Sequence, residues 1–186
     1  SSATYAPTGV TANATYTAKG TRSLRRYTVT YNKGSYISSV SRSSESVSYG
    51  SNAAGSTATV MASDAQYTYG FDGWYNGSTR VSTSVTYAPT NITGAVTLEA
   101  RGTRTTKSYT ISVSLDSSAA GRGSVSGGGS YAYGASATVK CTKTNSQDVF
   151  DGWYEGSTRV STSLSYTFTV TGARTLVAKI LYLDVT

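Results

Sequence analysis

The phrase FDGWYNGSTRVSTSVTY at residues 71–87 returns as FDGWYEGSTRVSTSLSY at 150–166, with three changes in seventeen positions. A catalytic centre is assembled once, from unlike segments. Duplication of the most distinctive stretch therefore points to two copies of one small fold. The copies align without a gap from Gly55 and Gly134, 79 residues apart, through Tyr87 and Tyr166. One deletion later, TLEAR at 97–101 meets TLVAK at 175–179. A partial third copy opens the chain: TYAPTGVTANATYTAKGTR at 4–22 matches TYAPTNITGAVTLEARGTR at 86–104. The expected organisation is the tail of a preceding repeat at 1–22, a first full repeat at 23–104 and a second at 105–186.

A unit of about 80 residues buries only some 60–65% of its unfolded surface, so large aromatic side chains must carry much of its core. Sixteen tyrosines among 186 residues, with abundant Ser, Thr and Gly, suit pleated and half-buried surfaces joined by turns. Period-two alternation in YTVTY from Tyr27, TATVMA from Thr57, RVSTSVTY from Arg80 and YTISVSL from Tyr109 marks strands. No stretch keeps helical spacing for three turns. The fold class expected is all-β: tandem small β-sheet or sandwich-like modules of about 80 residues, with five or six short strands each. The glycine-rich GRGSVSGGGS at 121–130 reads as hairpin loops or bulges. In FDGWY the Asp-Gly pair interrupts an aromatic strand and predicts a bulge. That bulge would turn Phe71 and Trp74, like Phe150 and Trp153, toward the core. Asp72 and Asp151 are expected to bond nearby backbone there, and NGS at 76 and EGS at 155 to form the next turn.

A strand opening YTV or YTI, a Gly-x-Val as at Gly123 and Val125, a Tyr-Gly before a strand, then FDGWY and a closing TLxAK, together resemble the bacterial internalin-type B repeats. The chain is similar to their divergent branch, which lacks the usual LYAKW ending, from Tyr27 to about Ile180. The resemblance implies a non-enzymatic tandem module of bacterial surface or secreted proteins, placed at the cell surface or cell wall as a stalk, spacer or adhesin. The first repeat departs from the pattern at SYISSVSRSSESVSYGSNAAGS, where the Gly-x-Val is missing and about five residues are inserted.

The absence of histidine removes imidazole-dependent catalysis. The densest carboxylate pair, Asp148 and Asp151, is a poor glycosidase candidate because Asp151 only repeats Asp72. No calcium-type loop is present and one cysteine cannot build a zinc site, so no catalytic, metal or cofactor site is expected. Cys141 falls opposite Ala62 in the ungapped alignment and reads as a small buried side chain. No apolar window is long enough to span a bilayer, so no membrane insertion is expected of these residues. The net charge of +7 is concentrated in Lys19, Arg22, Arg25 and Arg26 at the first junction and Arg101, Arg104 and Lys107 at the second. Either these bands keep strand ends soluble, or they attract anionic polymers or glycans; no nucleic-acid motif accompanies them. The candidate ligand contacts are Arg101, Arg104 and Lys107, with Tyr131 and Tyr133, read as exposed, for host or cell-surface glycans or proteins. A phage decoration or fibre protein built on the same repeat is a further alternative. Finally, VTANATYTAK at 10–19 is expected to pair with the first full repeat or a neighbouring molecule, and VTLEAR at 96–101 to reach into the second.

Overall fold

The computed structural model describes residues 3–182. The first set of strands comprises β1 (Arg26–Lys33), β2 (Ile37–Val40), β3 (Ser44–Ser48), β4 (Ser56–Val60), β5 (Tyr67–Asn76), β6 (Thr79–Ser82), β7 (Thr86–Tyr87) and β8 (Val96–Thr106). The second comprises β9 (Ser108–Leu115), β10 (Gly123–Ser126), β11 (Gly129–Ala132), β12 (Ser136–Lys143), β13 (Val149–Glu155), β14 (Thr158–Ser161), β15 (Ser165–Thr169) and β16 (Arg174–Leu181). One 3-10 turn, Ser117–Ala119, follows β9. The all-β expectation holds, with eight strands per set instead of five or six.

Each set makes a five-stranded sheet, β3-β1-β8-β5-β6 or β11-β9-β16-β13-β14, and a three-stranded sheet, β2-β4-β7 or β10-β12-β15. Period-two alternation gives each strand one apolar face, and these faces enclose a core in each set. In β1 the alternation sends Val29 and Tyr31 inward and leaves Thr28 and Asn32 exposed. The first core joins Val29, Tyr31 and Trp74 of the large sheet to Ile37 and Ala58 of the small one. The second joins Ile111, Trp153 and Leu176 to Val139 and Cys141.

The last strand of each set lies in the middle of its sheet. β8 runs parallel to β1 and antiparallel to β5, burying Leu98 and Ala100. β16 sits the same way between β9 and β13, burying Leu176, Ala178 and Ile180. A large sheet is therefore incomplete until its final strand arrives.

The bulge falls where the Asp-Gly pair puts it: the register against β8 shifts between Phe71 and Gly73, and against β16 between Phe150 and Gly152. The extra residue brings both aromatics to one side, with Trp74 and Trp153 fully buried and Phe71 and Phe150 packed against the same cores. Glycine is required here by space. A Cβ on Gly73 would lie 2.6 Å from the Ser82 carbonyl, and one on Gly152 2.6 Å from that of Ser161.

Several expectations are corrected. RVSTSVTY is two strands, β6 and β7, in different sheets, because the chain bends at 83–85 to cross between layers. GRGSVSGGGS is not a pair of loops: it contains β10 and the start of β11, and the chain changes sheets at Gly127 and Gly128. Cys141 is buried, yet its counterpart is Ala58 and not Ala62, which is exposed. Ala58 N donates to Val85 O and faces Val40; Cys141 N donates to Leu164 O and faces Val125. The first copy's extra length therefore lies largely after Ala58: residues 59–70 separate Ala58 from Phe71, against 142–149 between Cys141 and Phe150. β5 and β8 are correspondingly longer than β13 and β16. The segment at 10–19 forms no strand and is exposed throughout. VTLEAR at 96–101 pairs with β1 and β5 of its own set and not with the second.

Candidate functional site

Two features recur or concentrate enough to be sites. One is a polar ladder on the outer face of each large sheet; the other is the junction between the sets.

The ladder grows from the bulge. Asp72 accepts from the Tyr75 hydroxyl at 2.6 Å and pairs with Arg80 at 3.1 Å, while the Arg101 guanidinium lies 4.3 Å from the Tyr75 ring centre. The second copy matches it: Asp151 accepts from Tyr154 at 2.7 Å and pairs with Arg159 at 3.0 Å, with Lys179 4.3 Å above the Tyr154 ring. The hydrogen bond to each carboxylate, with some desolvation, pushes both phenols above their ordinary value. The expectation of aspartate-to-backbone bonding is thus corrected: the main partners are a tyrosine three residues on and an arginine eight on. That D-x2-Y-x4-R spacing was present in both copies, but only the bulge brings the three to one face. Because Arg159 keeps half its side chain in water, Arg159→Ala is expected to cost less than about 1 kcal/mol in a thermal melt.

At the junction a single residue, Lys107, separates β8 from β9, and its backbone serves both sets. Its N–H donates to Gln66 O at 2.8 Å and its carbonyl accepts from Tyr133 N at 2.8 Å. Its ammonium donates to Asp64 O at 2.6 Å, and the Tyr109 hydroxyl donates to Ala65 O at 2.6 Å. The turn at 64–66, in the longer β4–β5 connection of the first set, is thereby clamped onto the start of the second set. Asp64 organises that turn, accepting from the N–H groups of Tyr67 at 2.6 Å and Gln66 at 2.8 Å. The Tyr67 bond above all, then Gln66 and the Lys107 charge, hold its carboxyl below the ordinary value against some desolvation.

A depressed carboxylate contributes stability that is complete above the unfolded pKa, near 4, and is lost as pH falls through the folded one. In an NMR titration the Gln66, Tyr67 and Lys107 amides should therefore shift together with a midpoint below about 4, and Asp64→Asn should abolish the transition. A midpoint above the ordinary Asp value would contradict the clamp.

The three basic residues expected to contact a ligand are engaged by neighbours. Arg101 binds Glu99 at 2.6 Å and Gly77 O at 3.0 Å. Arg104, though exposed, lies over the rings of Tyr67 and Tyr36, 4.3 and 5.2 Å from their centres. Lys107 holds the 64–66 turn. Tyr131 and Tyr133 are half-buried, not exposed: the Tyr131 hydroxyl donates to Gly127 O at 2.8 Å, and the Tyr133 ring lies against Tyr109. An open polar hollow of 620 Å³, lined by Asn32, Lys33, Tyr75, Asn76, Glu99 and Arg101 among others, flanks the first ladder.

Small sheet against large sheet, a last strand in the middle, and an aromatic bulge strand beside it define the second module. Residues 113–180 match the family model described as the divergent InlB B-repeat domain. The match runs from within β9 almost to the end of β16. The first set repeats the sheet order of the second strand for strand. No curated protein and no solved structure matches the chain. Among the described residues no helix is long and apolar enough to cross a membrane.

Proposed function

We propose that these residues are a non-enzymatic spacer in a bacterial surface or secreted protein, with two B-repeats held in fixed relation to carry another domain away from the cell. The observation that carries the reading is the Lys107 junction. A flexible tether would use several residues without fixed partners, whereas here one residue separates two strands and its N–H, carbonyl and ammonium are all hydrogen-bonded. The B-repeat match supports the extracellular setting. The basic band acts in this reading as part of the fastening, since Arg104 and Lys107 spend their donors and charge on tyrosine rings and a turn carbonyl.

Small-angle scattering tests the reading. Lys107→Gly combined with Tyr109→Phe should broaden the distribution of sizes while leaving both melting transitions in place; an unchanged profile would count against a fastened joint.

The hollow beside Lys33 and Arg101 favours a second reading, binding of an anionic glycan. Titration with heparin-type oligosaccharide at low salt checks it. Binding should weaken at least tenfold in Lys33→Ala, on the scale of about 1.4 kcal/mol, and the absence of saturable binding would remove it.

A further inference from the structure

The interface that joins the two modules occurs a second time, half empty, at the start of the first. At the filled junction Lys107 O accepts from Tyr133 N, the Tyr109 and Tyr133 rings lie 6.4 Å apart, and the 64–66 turn rests against them. Arg25 stands in the place of Lys107, Tyr27 in that of Tyr109 and Tyr49 in that of Tyr133. Arg25 O accepts from Tyr49 N at 2.7 Å, and the two rings are again 6.4 Å apart. Here, however, a hollow of 330 Å³ lies open where the turn would be, lined by Leu24, Arg25, Tyr27 and Tyr49 with Ser23. Leu24 is 61% exposed and Tyr49 53%.

The chain leading into this hollow carries a second, independent sign. Residues 4–22 repeat 86–104, and Ile92, Leu98 and Ala100 of that stretch are buried in the core. Their counterparts Val10 and Tyr16 are 54% and 55% exposed, and Ala18 is exposed too. This is the sequence of a central strand without a sheet around it. The counterpart of β8, residues 14–24, stands from β1 as β8 stands from β9, with one residue between, Arg25 against Lys107.

We propose that residues 4–22 supply the last small-sheet strand and the closing central strand of a further B-repeat whose other strands precede residue 4, and that this module's β4–β5 turn fills the hollow at Leu24, Tyr27 and Tyr49. The module would resemble the first set, with its longer β4–β5 connection. Lys19-Gly20-Thr21-Arg22 repeats Arg101-Gly102-Thr103-Arg104, where the second set has Lys179-Ile180-Leu181, and Arg104 begins the part of β8 that pairs with the extension of β5 at Tyr67–Tyr69. The docking half of the proposal rests on the fastened-junction reading; the closing-strand half does not.

The test places a copy of residues 23–85 directly ahead of Thr4 in the otherwise intact chain. Amides 14–22 should pass from peptide-like hydrogen exchange to protection of at least about a hundredfold, and the Tyr27 and Tyr49 NMR signals should shift. A second variant, with the added copy's Asp-Ala-Gln turn replaced by Gly-Gly-Gly, should keep the strand protection but return Tyr27 and Tyr49 to their original positions. Peptide-like exchange of 14–22 in the extended chain would overturn the closing-strand assignment. Unmoved tyrosine signals beside a folded added module would overturn the docking alone. Protection of 14–22 that rises with concentration in the unextended chain would assign the strand to a second copy instead, and so also refute the proposal.

Discussion

Deleting residues 174–181 should abolish folding of the second module while the first keeps its melting transition. β16 supplies three core side chains, Leu176, Ala178 and Ile180, and hydrogen-bonds on both edges, to β9 and β13. Without it the large sheet splits into two strand pairs, β11-β9 and β13-β14, and two-stranded pieces of this kind are marginal in water. The first module has its own central strand, β8, and its own core. Calorimetry should thus show one of two transitions lost and the other within a few degrees of its original position. Survival of both would show that β16 is not the keystone of its sheet; loss of both would show that the modules do not fold separately.

Trp153→Ala should cost about 3–5 kcal/mol, as for large buried aromatics in general. For a module of this size that is a large part of its stability. Trp153 has no exposed surface and makes an edge contact with Phe150, whose ring centre is 6.1 Å away. Trp74 is its equal in burial but differs in its N–H, which donates to Val85 O at 3.1 Å, whereas the Trp153 Nε1 finds no protein partner. Trp74→Phe should therefore destabilise its module more than Trp153→Phe, by roughly the 0.5–1.5 kcal/mol of one net hydrogen bond. Chemical denaturation that ranks the pair the other way would contradict that difference.

The sequence made the repeat, the strand-forming pattern and the core tryptophans readable because each rests on local rules: period-two alternation, a glycine in an aromatic strand, a duplicated phrase. What it concealed was non-local. Nothing in VTLEAR distinguishes a strand that crosses to the next module from one that closes its own sheet; the parallel pairing with β1, distant in sequence, decides it. The ungapped alignment set Cys141 against Ala62 because the flanking residues are alike, while the fold absorbs four residues in the β4–β5 turn and pairs it with Ala58. The lengthened connection also carries the clamp at 64–66. Lys107 was legible as part of a basic band, but its role comes from the Asp64 and Gln66 carbonyls, and backbone groups carry no signature in composition. Tyr131 and Tyr133 looked exposed beside a glycine run because that run was read as loop; once it is strand, both rings lie partly covered.

The fastened junction is tested most directly by residual dipolar couplings measured on backbone amides of both modules in a weakly aligned sample. The account predicts that one alignment tensor fits the couplings of residues 26–106 and 108–181 together at neutral pH, and that two are needed after Lys107→Gly with Tyr109→Phe. Two tensors of different magnitude in the unaltered chain would mean that the modules reorient freely about Lys107, and the spacer would be a hinge.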